Sequence, residues 1–582
     1  MKSLWRLMPY FRRYRRTLIW GIIHIFLSTV FAVIAPIIIR DAVDGLQADL
    51  SSATLVRYAL LLVAVALASG IFLYLTRQTI IVVSRRIEFD LRNDFLAHVM
   101  QLSQRYFATT TTGDLMAYSS NDISAVRMFV GPAVMYSANT VFNFVIIVWL
   151  LVEIHPMLTL WGLLPLPILS FAVYRVGSLI HKRYEEIQEH YGTMTARTQE
   201  SISGIRVVKA YLREDHETEV FRELSEEYMR RNMRMVRIQS LFMPMIGILV
   251  GFSSILILWL GGLDVIAGQL TLGELTQFII YLGMLIWPMA AIGWVVGLIQ
   301  RAAASMKRLE RVLDTAPDIV DTAATNHDVT TIQGHIGYED VYFRYDPARP
   351  DVLAGISLEI RAGMTLGVIG LTGAGKSTLV SLIPRLFDPT AGVLRIDGRD
   401  ARDIPVAVLR RHIAYVTQET FLFSDTLRNN IAYGVDGARE DDILWAAGIA
   451  QMDKDVADFP KHYDTMLGER GITLSGGQKQ RVSLARAVLR KPSILILDDA
   501  LSAVDTHTEE DILQRLKSVM AERTSILISH RISTVKHADH IIVLRDGVIG
   551  EQGTHDELVA LGGLYAELHQ KQLLAAELEE ME

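Results

Sequence analysis

Six stretches of the chain, 17–39, 58–76, 128–152, 156–174, 240–263 and 275–299, are apolar almost throughout. About 20 apolar residues in a helix cross roughly 30 Å of hydrocarbon. Core helices of soluble proteins rarely run that long without charge, so the pattern predicts six transmembrane helices. Two connections, 77–127 and 175–239, are polar yet keep a helical period with few breakers, as in "RRIEFDLRNDFLAHVMQLSQRYF". About 25 residues each way at 1.5 Å per residue would carry such helices some 35 Å beyond the bilayer. Their hydrophilic turning points are expected near 109–122 and 209–217, as docking tips on rigid levers.

The pattern changes after residue 300. "RAAASMKRLERVL" begins a charged helix that decays into a linker around Pro317, and short β-rich runs then alternate with helical ones. That alternation predicts an α/β domain. The reading divides the chain into an interfacial elbow helix (1–16), a six-span membrane domain with long cytoplasmic hairpins (17–310), a linker (311–333) and an α/β domain (334–582). In the elbow, Trp5, Leu7, Met8, Tyr10 and Phe11 alternate with basic residues, as in a helix lying at a membrane surface. The same segment lacks the small-residue cleavage site of a secretory signal. Arg12, Arg13, Arg15 and Arg16 abut the first span, whereas 40–57 carries only Arg40 and Arg57 and 264–274 carries no Lys or Arg. The N-terminus is therefore expected in the cytosol, and an even number of spans returns the α/β domain there.

Composition narrows the chemistry. The net charge of −7 over 582 residues gives no reason to invoke nucleic acid. The absence of cysteine excludes disulfides, thiol catalysis and Cys-ligated metal. It fits a heat-adapted source or an engineered cysteine-free chain. Almost no charge lies inside the spans, and intramembrane charge usually marks an ion pathway. Any path between these spans would therefore suit hydrophobic or amphipathic molecules, with Tyr136, Asn139, Asn143, Phe242, Met243, Tyr281, Met284, Trp287, Met289 and Trp294 as lining candidates. For most of these, helix packing is the more common role.

"VIGLTGAGKST" at 368–378 matches G-x-x-x-x-G-K-[ST], between an apolar strand and a helical run. Gly370, Thr372, Gly373, Ala374, Gly375, Lys376, Ser377 and Thr378 form the candidate phosphate loop. Its glycines let backbone N–H groups curl round phosphates. Lys376 would neutralise the β and γ phosphates of ATP, and the Ser377 hydroxyl would ligate Mg²⁺. "LILDDALSAVD" at 495–505 reads as a buried strand delivering Asp498 to the metal, with Asp499 placed to orient an attacking water.

With "TLSGGQKQR" at 473–481 the set becomes specific. Together these motifs resemble the nucleotide-binding domain of an ATP-binding cassette (ABC) transporter, and with six spans upstream the whole chain resembles an ABC exporter half-transporter. The resemblance implies roles at matching positions. Tyr345 would stack on adenine, and Gln418 would approach Mg²⁺ and water. Leu474, Ser475, Gly476, Gly477 and Gln478 would clamp the γ-phosphate held by another subunit. "GERG" at 468–471 would contact the lever tips, Asp505 would communicate across a dimer interface, and His530 would sense the γ-phosphate. Alone, Tyr345 or Gln418 would read as structural; their order around the stronger motifs lifts them. The expected setting is a bacterial inner membrane.

One position departs from the family pattern. Most such domains carry Glu after the metal-binding Asp, and here it is Asp499. The carboxylate retreats by about 1.5 Å, and a misplacement near 1 Å can cost roughly 10²-fold when water must be held for in-line attack. In the family, Asp here is a recurring mark of the weak site in heterodimeric exporters. The expectation is a chain whose own site is weak and whose "LSGGQ" completes a partner's strong site. The intact His530 tempers this. The rivals are a homodimeric lipid flippase or drug exporter with slow turnover, and a nucleotide-gated regulatory subunit.

Overall fold

A computed structural model describes residues 2–47, 52–468, 471 and 474–580. It contains two compact units, Met1–Met100 with Thr112–Thr315, and Gln101–Thr111 with Ala316–Glu582.

The first unit is entirely helical among the described residues. Four of its helices are long and apolar enough to cross a membrane: Arg15–Leu46, Ser52–Val99, Thr112–Ile154 and Leu272–Leu313. The expected span 156–174 is divided between the helices Pro156–Leu163 and Pro165–Ser203, and 240–263 falls in the helix Glu214–Ile266, each partly on side chains outside the described set. Phe242 and Met243 are among those side chains. At its start the chain is less regular than an elbow helix: a 3₁₀ turn Lys2–Leu7 precedes a six-residue helix Met8–Arg13. Trp5 is exposed, while Leu7 is fully buried.

The first turning point comes earlier than the residues suggested. The helix from Val82 stops at Val99, a short helix Gln104–Thr109 follows, and Thr112–Ala117 already belongs to the returning arm. The "TTTT" run lacks strong breakers and drew the estimate too far along the chain. The second turn overlaps the expected 209–217 but also starts earlier: a short helix Ile205–Ala210 is followed by Leu212 at φ 53°, and the returning helix begins at Glu214.

Three five-residue π turns, Arg77–Ile81, Tyr118–Asp122 and Phe129–Ala133, interrupt these arms. Close backbone approach explains one small residue nearby. A Cβ on Gly131 would lie 2.6 Å from Ser84 Oγ, so any larger residue would push the two arms apart. At the end of the second π turn, Asp122, only 6% exposed, accepts from Ser305 Oγ at 2.8 Å and from Arg308 Nε at 2.8 Å. Two lining candidates prove to be packing residues. Tyr281 is fully buried and donates to Val33 O at 2.7 Å, and Asn143 donates to Asn139 O at 2.9 Å. Polar groups in an apolar helix are satisfied on the nearest carbonyl.

The second unit holds two sheets. The strands β1 (Ile336–Phe343), β2 (Leu353–Ile360), β4 (Ala391–Ile396) and β5 (Arg399–Asp400) form an antiparallel sheet in the order β2-β1-β4-β5. The second sheet contains β3 (Thr365–Gly370), β6 (Ile413–Val416), β7 (Ile494–Asp498), β8 (Thr524–Ile528), β9 (His540–Arg545) and β10 (Val548–Gly553). Its order is β10-β9-β3-β8-β7-β6, parallel except for β10. Every residue of β7 and β8 is buried, as expected of strands covered on both faces. This order decides the site: β8 lies between β3 and β7, so the loops leaving all three strands emerge side by side.

Candidate active site

The phosphate loop leaves β3 at Gly370, and a six-residue helix begins at Lys376. Gly373 and Gly375 take positive φ, 83° and 97°, and a Cβ on Gly375 would sit 3.0 Å from Val352 O. Only glycine fits that turn without strain. Lys376 is 7% exposed, and its Nζ donates to Gly370 O at 2.8 Å and Leu371 O at 3.1 Å, so it lies across its own loop. Burial pushes its ammonium pKa down, and the charges of Asp499 and Asp498 oppose that shift. Leu371, Thr372 and Gly373 are exposed, leaving the rim of the loop open to a ligand. Tyr345 stands beside it, its hydroxyl 2.9 Å from Thr378 Oγ1 and its ring edge-on to Phe343 and Phe387. Its ring position is thus fixed before any base arrives.

Asp498 ends β7 at 2% exposure and accepts from the Tyr415 hydroxyl at 3.2 Å through Oδ2. Its Oδ1 is buried without a hydrogen-bond partner. Burial pushes this carboxyl up, opposed by the Ser377 and Tyr415 hydroxyls and the Lys376 charge. A buried carboxylate oxygen without a donor is costly in isolation, and a hard cation satisfies it. The residues therefore fit Mg²⁺, which Asp498 and Ser377 would hold.

Asp499 differs in every respect. It adopts left-handed backbone at φ 47° and is 5% exposed. Its Oδ2 lies 3.1 Å from His530 Nε2 and 3.5 Å from Gln418 Nε2, while Oδ1 accepts from the His530 backbone N–H at 3.2 Å. Asp499 N donates to Ile528 O at 3.0 Å, which ties the residue back to β8. The short acid is thus folded onto the turn that follows β8.

The loop, Tyr345, Asp498, Asp499, Gln418 and His530 are therefore gathered in one place. Leu474 to Gln478 are not bonded to it. Ser475 caps the helix Gly476–Leu489 with Gln478 as its reciprocal partner, and Gln478 Nε2 donates to Asp455 Oδ1 at 2.8 Å. The link to the acids runs through Gln480, which donates to Asp499 O at 3.3 Å and Ser502 Oγ at 2.9 Å and accepts from Ala503 N at 2.9 Å. Asp505 caps the helix Thr506–Met520, accepting from Thr508 N at 2.9 Å, a bond that lowers its carboxyl pKa. In "GERG", Glu469 and Arg470 lie outside the described residues. Sequence reading missed Tyr415, Gln480, Asp455 and Glu509; of these only Gln480, two residues beyond "LSGGQ", had a positional signal.

A glycine loop between strand and helix, a buried metal-poised acid on the next strand but one, and a helical unit with membrane-length helices define a membrane-associated P-loop nucleoside triphosphatase. Comparison narrows the class. The ABC transporter transmembrane region model matches residues 18–289, and the ABC transporter model matches 353–502. The chain is 36% identical over 572 residues to the probable multidrug resistance ABC transporter ATP-binding/permease protein YheI of Bacillus subtilis, covering 98% of this chain and 97% of that one. It is 34% identical to the multidrug resistance-like ATP-binding protein MdlA of Escherichia coli, covering 100% and 98%. It is 36% identical to the ATP-dependent lipid A-core flippase of Syntrophus aciditrophicus, covering 92% and 88%. Among solved structures, a bacterial Atm1-family ABC exporter with ATP bound superposes with a TM-score of 0.79 at 28% identity, covering 96% of this chain and 98% of that one. The chain belongs to the ABC transporter family and is an ATPase coupled to transport.

Proposed function

We propose that the chain is one half of a six-span ATP-driven exporter, with its N-terminus and ATPase domain in the cytosol of a bacterial inner membrane. Its cargo is hydrophobic or amphipathic, consistent with spans that carry almost no charge and with relatives named for multidrug resistance and lipid A-core flipping. ATP lies on the loop 370–378 with its base against Tyr345, and its phosphates are met by Lys376. Asp498 and Ser377, with Gln418 nearby, would hold Mg²⁺, which when bound would supply positive charge to offset that of the phosphates.

The division of labour rests on one observation: the Asp499 carboxylate is held back against His530 by two contacts within 3.2 Å. An acid engaged there is poorly placed to hold a water against the γ-phosphate. The chain is thus the weak-site half of a heterodimer, and Leu474 to Gln478 complete the site of a partner that carries Glu. Purification from native membranes followed by mass spectrometry tests this. A co-purifying second half-transporter with Glu in the acid position is the expected result. A homodimer whose brisk ATPase is abolished by Asp499→Ala would overturn it in favour of a homodimeric exporter.

A further inference from the structure

The turn carrying His530 is gripped from two sides by residues that lie in none of the sequence motifs. Glu509, 3% exposed, accepts from Thr534 Oγ1 at 2.6 Å and pairs with the Arg531 guanidinium. Ser529 Oγ accepts from Arg531 N at 2.9 Å and bonds Thr534 Oγ1 at 3.1 Å. The opposite side is held by one amide from the end of the chain. Gln572 Nε2 donates to His530 O at 2.7 Å, and its Oε1 accepts from Ile532 N at 2.8 Å. A carboxamide offers donor and acceptor in one planar fork, so both bonds fix the same stretch of backbone.

The arm behind Gln572 is anchored. Tyr565 is fully buried, its hydroxyl lies 2.7 Å from His555 Nδ1, and its N–H donates to Glu551 at 3.1 Å. Seven residues further on, about 10 Å along the helix Leu564–Glu580, Gln572 reaches the turn. The His530 side chain is 46% exposed and meets Asp499 as its one ion-pair partner. Where the imidazole stands therefore depends on how the backbone beneath it is held.

We propose that Gln572 is a positioning residue for His530, so that the C-terminal helix sets how strongly this site prefers ATP over ADP. This rests on reading His530 as the γ-phosphate contact. Losing both amide bonds lets the turn relax and weakens the contact that only ATP offers, while the loop and Tyr345 still hold the diphosphate and base.

Equilibrium binding of ATP and ADP to the full-length chain in lipid nanodiscs tests this. Gln572→Ala is expected to weaken ATP about fivefold, the scale of one net hydrogen bond, and to leave ADP unchanged. Gln572→Glu, which accepts from Ile532 but cannot donate to His530, is expected to fall between wild type and Gln572→Ala. In a His530→Ala background, Gln572→Ala is expected to add nothing. Equal weakening of ATP and ADP, or full additivity with His530→Ala, would overturn the proposal. If His530→Ala leaves the ATP preference intact, the reading of His530 fails. Should Gln572→Ala alone leave it intact, the positioning role fails.

Discussion

Restoring the missing methylene, Asp499→Glu, is the most direct probe of the acid. The present carboxylate sits 3.1 Å from His530 Nε2 and 3.5 Å from Gln418 Nε2, and a cavity of about 230 Å³ lined by Asp499, His530, Ser502 and Glu509 adjoins it. A Glu reaches about 1.5 Å further than Asp, which recovers a misplacement worth roughly 10²-fold. Against this stands the backbone. Asp tolerates the left-handed region at φ 47° through short local hydrogen bonds, and Glu does so less readily. The expected outcome is a rise in kcat of about 10- to 100-fold, or 1.4 to 2.7 kcal/mol of barrier. A fall in the unfolding midpoint of about 2 °C should accompany it. The assay is phosphate release by the chain reconstituted alone in proteoliposomes, with thermal unfolding in parallel. If Asp499→Glu stays within twofold of wild type while Asp499→Ala abolishes turnover, the short acid is competent as it stands and the reasoning fails.

Other substitutions separate the remaining contributions. Tyr345→Phe loses only the bond to Thr378 and should change ATP affinity less than threefold, whereas Tyr345→Ala loses the stacking surface and should cost about tenfold, read by nucleotide binding. Glu509→Ala leaves Arg531 unpaired and should destabilise the ATPase unit by about 2 to 3 kcal/mol in denaturant unfolding. That is below the figure for a fully buried pair because Arg531 is 39% exposed. Burial, with the charges of His555 and Lys536, holds the His569 pKa below its usual value. The unfolded chain therefore binds the proton first, and the stability His569 contributes is complete above about pH 6.5 and is lost as pH falls toward the lower folded value. Hydrogen-exchange protection in Leu564–Glu580, relative to the intrinsic rate at each pH, should fall between about pH 7 and 5, and His569→Gln should flatten that dependence.

The two-part architecture was legible because it rests on local signals: long apolar runs, a glycine loop between strand and helix, and apolar strands ending in acid. The phosphate loop, the two acids and the His530 turn fall together because β8 sits between β3 and β7, and strand order is invisible in a single sequence. What escaped detection was non-local. Glu509 meets Arg531 across 22 residues, and Gln572 meets the His530 backbone across 42, with no composition or period to announce either. The retreat of Asp499 could be read from its side-chain length. That it leans on His530, and that Gln480 props its backbone, required coordinates. Tyr281 and Asn143 took the packing role that is commoner for such residues; a polar group in an apolar helix looks the same in sequence whether it greets a ligand or a neighbouring carbonyl.

The Asp122–Ser305–Arg308 knot has a mechanical meaning. It rivets the arm of Thr112–Ile154 to the tail of Leu272–Leu313 at a point where Asp122 is nearly sealed from water. Arg308 is 44% exposed, so removing a partner costs less than in a fully buried pair, about 2 to 3 kcal/mol, which still leaves the joint closed against thermal jostling. Two slender helices joined in this way behave as one girder: a push on either is felt by both, and the joint itself has no give.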